Sequence, residues 1–170
     1  MFSNLSIGAT LKSLGVGVAL AVALLFGLSQ TGVISGTIPG FGTPLPTITV
    51  YQSPTCGCCG KWVQHLEAEG FTVASEMRQD MRAVKQQAGV PQQLSSCHTA
   101  IVDDYVIEGH VPADDIKALL SNAPDGIQGL TVPGMPVGSP GMEQGNRLDP
   151  YDVLAFTSEG GTRVVASYGQ

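Results

Sequence analysis

At 170 residues, 43% hydrophobic and 13% charged, the chain carries enough apolar material for one domain of ordinary size plus an appendage, which excludes a disordered polypeptide. Its formal charge of −6 and its eight scattered lysines and arginines leave no basic stripe on which phosphates are neutralised, so nucleic acid is excluded as a partner. The acidic balance suits a protein that handles cations.

The N-terminal region has the pattern of an export segment. No charged residue occurs between Lys12 and Lys61, and the run from Leu14 to Leu28 is wholly apolar or glycine. That run matches a signal-peptide core, with Gly27-Leu28-Ser29 offering small residues where a signal peptidase reads. Carried on to Ile34, it reaches bilayer-spanning length. Residues 1–34 are therefore either a signal peptide or an N-terminal membrane anchor. Lys12 and the amino terminus precede the run and no positive charge follows it closely, which sends the rest of the chain to the periplasm or another extracytoplasmic space, soluble or anchored. Residues 35–46, rich in Gly, Pro and Thr, read as a linker, and 47–170 as the folded domain.

Within that domain, Thr47 to Tyr51 alternates β-formers and predicts a strand whose end delivers Ser53 to Cys56. From Cys59, Val63 and Leu66 recur at helical spacing until Gly70, with His65 off that face and in solvent. Phe71 to Ala74 is a second strand. Met77, Met81, Val84 and Ala88 form a helical stripe ending at Gly89 and Pro91, its methionines filling core. Thr99–Val102 and Tyr105–Glu108 flank Asp103-Asp104 as a hairpin. Pro112 sets the first turn of a helix running through Ile116 and Leu119 to Asn122, with His110 packing or capping at its start. Residues 126–147 form a Gly- and Pro-rich loop too long to be idle. A last hairpin, Asp152–Phe156 with Thr162–Tyr168, extends or covers the sheet. Strand, helix, strand, helix, hairpin, helix is the order of a thioredoxin-like α/β fold, here with a C-terminal loop and β-hairpin extension.

All four cysteines are committed to two places. Cys56, Cys58 and Cys59 lie in Ser-Pro-Thr-Cys-Gly-Cys-Cys-Gly at the first strand-to-helix junction, and Cys97 stands beside His98. A Cys-x-x-Cys pair at a helix start has its thiolate stabilised by the helix dipole, which suits dithiol exchange. A third thiol between the two makes instead a soft-ligand set for Cu(I) or Zn. In an oxidising compartment thiols pair unless a metal or redox cycling holds them, so two structural disulfides are a further reading, with Cys58 and Cys59 badly directed to pair with each other. Cys97 precedes the third strand, where a thioredoxin-like fold faces the Cys-x-x-Cys site and normally carries a cis-proline; it either offers a fourth sulfur or is a buried inert thiol. His98 either completes the coordination or orients the loop through a carbonyl hydrogen bond. Met135 and Met142 belong to no helical stripe, and they read either as thioether donors on a lid or as cover for a sheet edge. The candidate metal ligands are thus Cys56, Cys58, Cys59, Cys97, His98, Met135 and Met142, with Cys56 and Cys59 the catalytic pair if the site is redox active.

Five blocks carry a family resemblance: Cys56-Gly57-Cys58-Cys59-Gly60-Lys61-Trp62, Ser96-Cys97-His98-Thr99-Ala100, Glu108-Gly109-His110-Val111-Pro112-Ala113, Pro133-Gly134-Met135-Pro136 onward to Glu143, and Pro150-Tyr151-Asp152-Val153. From Ile48 to Tyr168 the chain resembles the CopG-like family of exported copper-resistance proteins, also described as a domain of unknown function. The resemblance implies a thioredoxin-like fold, copper held through the cysteines and a role in copper homeostasis outside the cytoplasm. The leading reading is an extracytoplasmic protein that sequesters Cu(I) or handles its redox state, in a mononuclear or multinuclear site, with copper ions and copper-export or redox proteins as partners. A thiol-disulfide oxidoreductase using Cys56 and Cys59, and a structural zinc site, are the alternatives, so a copper-dependent or thiol-based oxidoreductase activity stays open. No nucleotide loop, Ser-His-Asp set or carboxylate pair points to hydrolysis.

Overall fold

The computed structural model describes residues 44–122 and 124–170. The expected export segment (1–34) and most of the linker (35–46) lie outside them; among the described residues no helix is long and apolar enough to cross a membrane. The elements in chain order are β1 (Ile48–Gln52), α1 (Gly57–Ala68), β2 (Val73–Met77), α2 (Met81–Gln87), a 3-10 turn (Gln92–Leu94), β3 (Thr99–Val102), β4 (Tyr105–Glu108), α3 (Ala113–Asn122), β5 (Gly129–Thr131), β6 (Tyr151–Phe156) and β7 (Thr162–Tyr168).

The strands make one mixed seven-stranded sheet in the order β2-β1-β3-β4-β5-β6-β7. The pairs β1/β2 and β4/β5 are parallel and the other four antiparallel. Side chains alternate across it as the pleat requires. Ile48 and Val50, Ala100 and Val102, and Ile107 pack with Trp62 and Leu66 of α1 and Ile116 and Leu119 of α3. Their neighbours Ile101 and Val106 face the other way and join Val90, Leu94 and Phe156, with Ala88 directly after α2. Each fully buried side chain of this kind contributes roughly 1.5–3 kcal/mol.

Strand direction and register bring four chain segments to one end of the sheet's central strands. Antiparallel pairing of Tyr51 with Thr99 puts the end of β1 beside the start of β3. Pairing of Thr99 with Glu108 adds the end of β4, and parallel pairing of Glu108 with Thr131 adds the end of β5. The Cys56–Cys59 turn, the Cys97-His98 segment, Gly109-His110 and the 132–142 loop therefore leave the sheet together.

Several local expectations change. The buried face of α1 is Cys59, Trp62 and Leu66, with Val63 only partly buried. Met77 is no core filler on a helix: it ends β2, paired with Gln52, and is 54% exposed. The helix begins only at Met81 because Asp80 caps it, accepting the Ala83 N–H at 3.0 Å. The glycine-rich stretch after α3 contains β5, which at three residues is too short for a periodic signature.

Candidate metal centre

Helix α1 starts without a side-chain cap: Cys56 is the N-cap residue, in extended backbone, with no side-chain hydrogen bond to the helix. The first-turn N–H groups and the positive end of the helix dipole therefore face the cysteine turn. Cys56 and Cys59 are joined as a disulfide, with Cα atoms 5.4 Å apart, and Cys58 and Cys97 are free thiols. The Cys58 sulfur lies 3.5 Å from that of Cys56, and the Cys97 sulfur 3.7 Å from that of Cys59. All four Sγ atoms lie within 4.8 Å of one another.

Cys97 also belongs to a second donor group. Its sulfur is 3.2 Å from Nδ1 of His98 and 3.1 Å from Nε2 of His110, and the three ligand atoms again fall within 4.8 Å. Both rings are buried and set edge to face, with centroids 5.0 Å apart. Trp62 lies against His98 at 4.3 Å between centroids and donates its Nε1–H to the Val111 carbonyl at 2.9 Å. The Nδ1 of His110 meets the Pro140 carbonyl at 2.7 Å, a contact that requires Nδ1 to carry a proton. A neutral ring then keeps its lone pair on Nε2, toward Cys97.

Burial shapes the charge states. Desolvation, then the charges of His110 and Lys85, hold His98 well below the ordinary histidine range. Desolvation also lowers His110, partly offset by the Pro140 carbonyl. Burial, then the neighbouring Cys58, pushes the Cys97 thiol up to about 12. Neutral imidazoles are ready donors, and a cation at the thiols reverses the cost of deprotonating Cys97. His98 Nε2 is buried without a hydrogen-bond partner among the described residues. With the Cys56–Cys59 disulfide reduced, the donor set of four thiols and two imidazoles fits a soft or borderline metal ion.

A family model described as a protein of unknown function, DUF411, matches residues 94–142. No curated protein matches the sequence. Two solved structures, titled copper resistance protein CopG forms 2 and 1, align at 48% and 47% identity, each with a TM-score of 0.70 over 74% of this chain and 99% of the other. The chain belongs to the CopG family of copper resistance proteins.

Against the expectations for a CopG-like chain, the geometry gathers Cys56, Cys58, Cys59, Cys97 and His98, and adds His110. Two histidines exchange roles. His110, expected to pack or cap at the start of α3, packs, buried against His98, and in place of a cap its Nε2 meets the Cys97 sulfur. His65, expected in solvent, is the cap: its Nε2 accepts the Ala113 N–H at 3.1 Å. The signal for His110 is its place in the Glu108-Gly109-His110 block, which carries the chain out of the end of β4 beside the Cys97-His98 segment.

The loop methionines separate. Met142 is half-buried and lines, with Cys58, Lys61 and Glu143, a cavity of about 360 Å³. Gly141 makes that approach possible, since with φ +84° a Cβ there would come 2.8 Å from the Trp62 nitrogen and 2.9 Å from the Cys58 carbonyl oxygen. Met135 is 53% exposed.

Proposed function

We propose that the chain is an extracytoplasmic copper-binding protein that sequesters Cu(I) or handles its redox state. The observation that carries this reading is the convergence of four cysteine sulfurs within 4.8 Å, with His98 and His110 at the same end of the sheet's central strands. Cu(I) takes two or three thiolates readily, imidazole or thioether completes its shell, and bridging thiolates admit more than one ion. Family membership supports copper over zinc. A thioredoxin-like core, formed by β2-β1-β3-β4 with α1 and α3, is the framework we assign to the site. Export by residues 1–34, cleaved or kept as an anchor, would put it in the periplasm or its equivalent.

The Cys56–Cys59 disulfide favours a redox form of the same reading. Closing it from the dithiol releases two protons and two electrons, enough to convert two Cu(II) to two Cu(I). Cys58, Cys97 and the two imidazoles are the donors left to the product ions.

The test is an anaerobic Cu(I) titration of the reduced full chain against a chromophoric competitor, with bound metal counted by native mass spectrometry. Tight binding that is lost in Cys58→Ser supports the copper site. Weak binding indifferent to Cys58 overturns it and leaves dithiol exchange through Cys56 and Cys59.

A further inference from the structure

Glu108 ends β4 and is fully buried, with its carboxylate wholly engaged. Oε1 accepts the Ser96 N–H at 2.6 Å and is 2.5 Å from Nζ of Lys85, while Oε2 accepts the Thr99 hydroxyl at 2.7 Å. Lys85, on α2 at the opposite face of the sheet from α1, also reaches the Thr99 oxygen at 3.1 Å. The two uncharged donors on this carboxylate are residues 96 and 99, the immediate neighbours in sequence of Cys97-His98. The next residue along β4 adds a third tie, because the Gly109 N–H donates to the His98 carbonyl at 3.0 Å, and the residue after that is His110.

We propose that Glu108, with Lys85 as its counter-charge, is the positioning residue of the metal centre: its carboxylate bridges Ser96 to Thr99 and holds the Cys97 and His98 donors in register with His110. Glu108 touches no candidate ligand atom; it acts through the backbone and hydroxyl that bracket them. A purely structural ion pair is a poor account of this arrangement. Desolvating a carboxylate and an ammonium is seldom repaid in stability, and an apolar pair of similar volume would serve the core as well. An apolar pair would not fix two hydrogen-bonded points on either side of a ligand-bearing dipeptide. Outer hydrogen bonds of this kind orient metal ligands, and their loss typically costs about 10–100-fold in metal affinity.

The inference rests on the copper reading, and its test separates the two. Cu(I) affinity of the reduced full chain is measured by competition in wild type, Glu108→Gln, Thr99→Val and Thr99→Ser, alongside the thermal melt of each metal-free protein and the copper X-ray absorption spectrum. Glu108→Gln and Thr99→Val are expected to weaken Cu(I) binding by about 10–100-fold and to alter the sulfur and nitrogen scattering around copper. Thr99→Ser, which restores the hydroxyl, is expected to recover both. If Glu108→Gln does not fold, the Val and Ser variants of Thr99 decide alone. Variants that bind copper as wild type does, with the same absorption spectrum whatever their melting temperature, overturn the positioning role and leave the copper site standing. A wild type that does not bind Cu(I) overturns both.

Discussion

The two segments that supply sulfur are held in opposite ways. The Cys56–Cys59 turn has few ties outside its own helix: one backbone bond, Cys56 N–H to the Ser53 carbonyl at 3.1 Å, leads into it, no side chain caps the helix, and Cβ atoms at Gly57 and Gly60 would meet nothing within 4 Å. The segment from Leu94 to His98 is bound along its whole length. Thr131 donates its hydroxyl to the Leu94 carbonyl at 2.7 Å, the Gly134 N–H to Ser95 at 3.3 Å, the Ser96 hydroxyl to the Gly134 carbonyl, and the Gly109 N–H to His98. Glu108 grips Ser96 besides. Three sulfurs stand at the uncapped start of a helix, and one sulfur with two imidazoles stands on segments tied down by neighbouring strands and side chains. On the proposed redox reading, a site that opens and closes a disulfide while keeping hold of copper would draw on both kinds of support.

The largest effect is expected at the point where the two segments meet. Cys97 is the one residue shared by both donor groups, so Cys97→Ser removes a ligand from each. Its Cu(I) affinity should fall beyond the roughly 100-fold that marks the upper end of outer-shell changes, as read by competitor titration. Next in size is a paired test of rigidity. Gly109 has φ +74°, and a Cβ there would collide with the Ser96 side chain and come 2.7 Å from the Val132 carbonyl oxygen. Gly109→Ala should cost roughly 2–3 kcal/mol in urea unfolding. Gly57→Ala, in open space at the helix start, should be neutral or stabilising by up to about 1 kcal/mol. Equal losses at the two glycines would erase the contrast between the segments.

A smaller effect tests the cap that turned out to be a histidine. His65 joins α1 to α3 by accepting the Ala113 N–H, and His65→Ala should cost about 1 kcal/mol. The contact needs a neutral ring. Burial lowers the His65 pKa below 6.5 against the raising influence of Glu69, Glu143 and Asp114, with Lys117 adding to the lowering. A depressed folded value means that the contribution is complete above the unfolded pKa and is lost as pH falls through the folded one. Between about pH 7.5 and 5.5, wild type should lose more stability than His65→Gln, which keeps an acceptor that does not titrate. Parallel pH profiles for the two proteins would remove His65 from the cap.

What the sequence made legible follows from the range of the interactions involved. The hairpin Thr99–Val102 with Tyr105–Glu108 and the helix after Pro112 rest on local alternation and turn chemistry, and both occur at the expected residues. The cysteine cluster was legible because three of its members are neighbours in sequence. Met77 was misread because a helical stripe can run on through a strand by chance, and only the parallel pairing with β1 decides otherwise. His65 and His110 were exchanged for a related reason: a cap is ordinarily sought within a few residues of its helix, whereas this one comes from 48 residues away. The role of Glu108 depends on register between β3 and β4, which fixes what a side chain touches only once strands are paired.

The two loop methionines offer the finest division between tied and open parts of the site. Met142 follows Gly141, where the absence of a Cβ leaves room for the loop to lie close to the Cys58 carbonyl in the first turn of α1, and its own N–H is bonded to the Ser139 carbonyl at 2.8 Å. A thioether held there beside Cys58 can act on copper, but it competes with thiolates that bind more strongly and need no loop ordering. Replacing it should therefore be felt weakly: Met142→Leu should reduce Cu(I) affinity by less than about tenfold, which is about 1.4 kcal/mol. Met135, 53% exposed, should show no change on the same substitution. Leucine nearly conserves volume, so a difference between the two variants reports the sulfur and not the packing. Equal effects at both positions would mean that the loop acts as cover alone, and that the donor set ends with the cysteines and the two buried histidines.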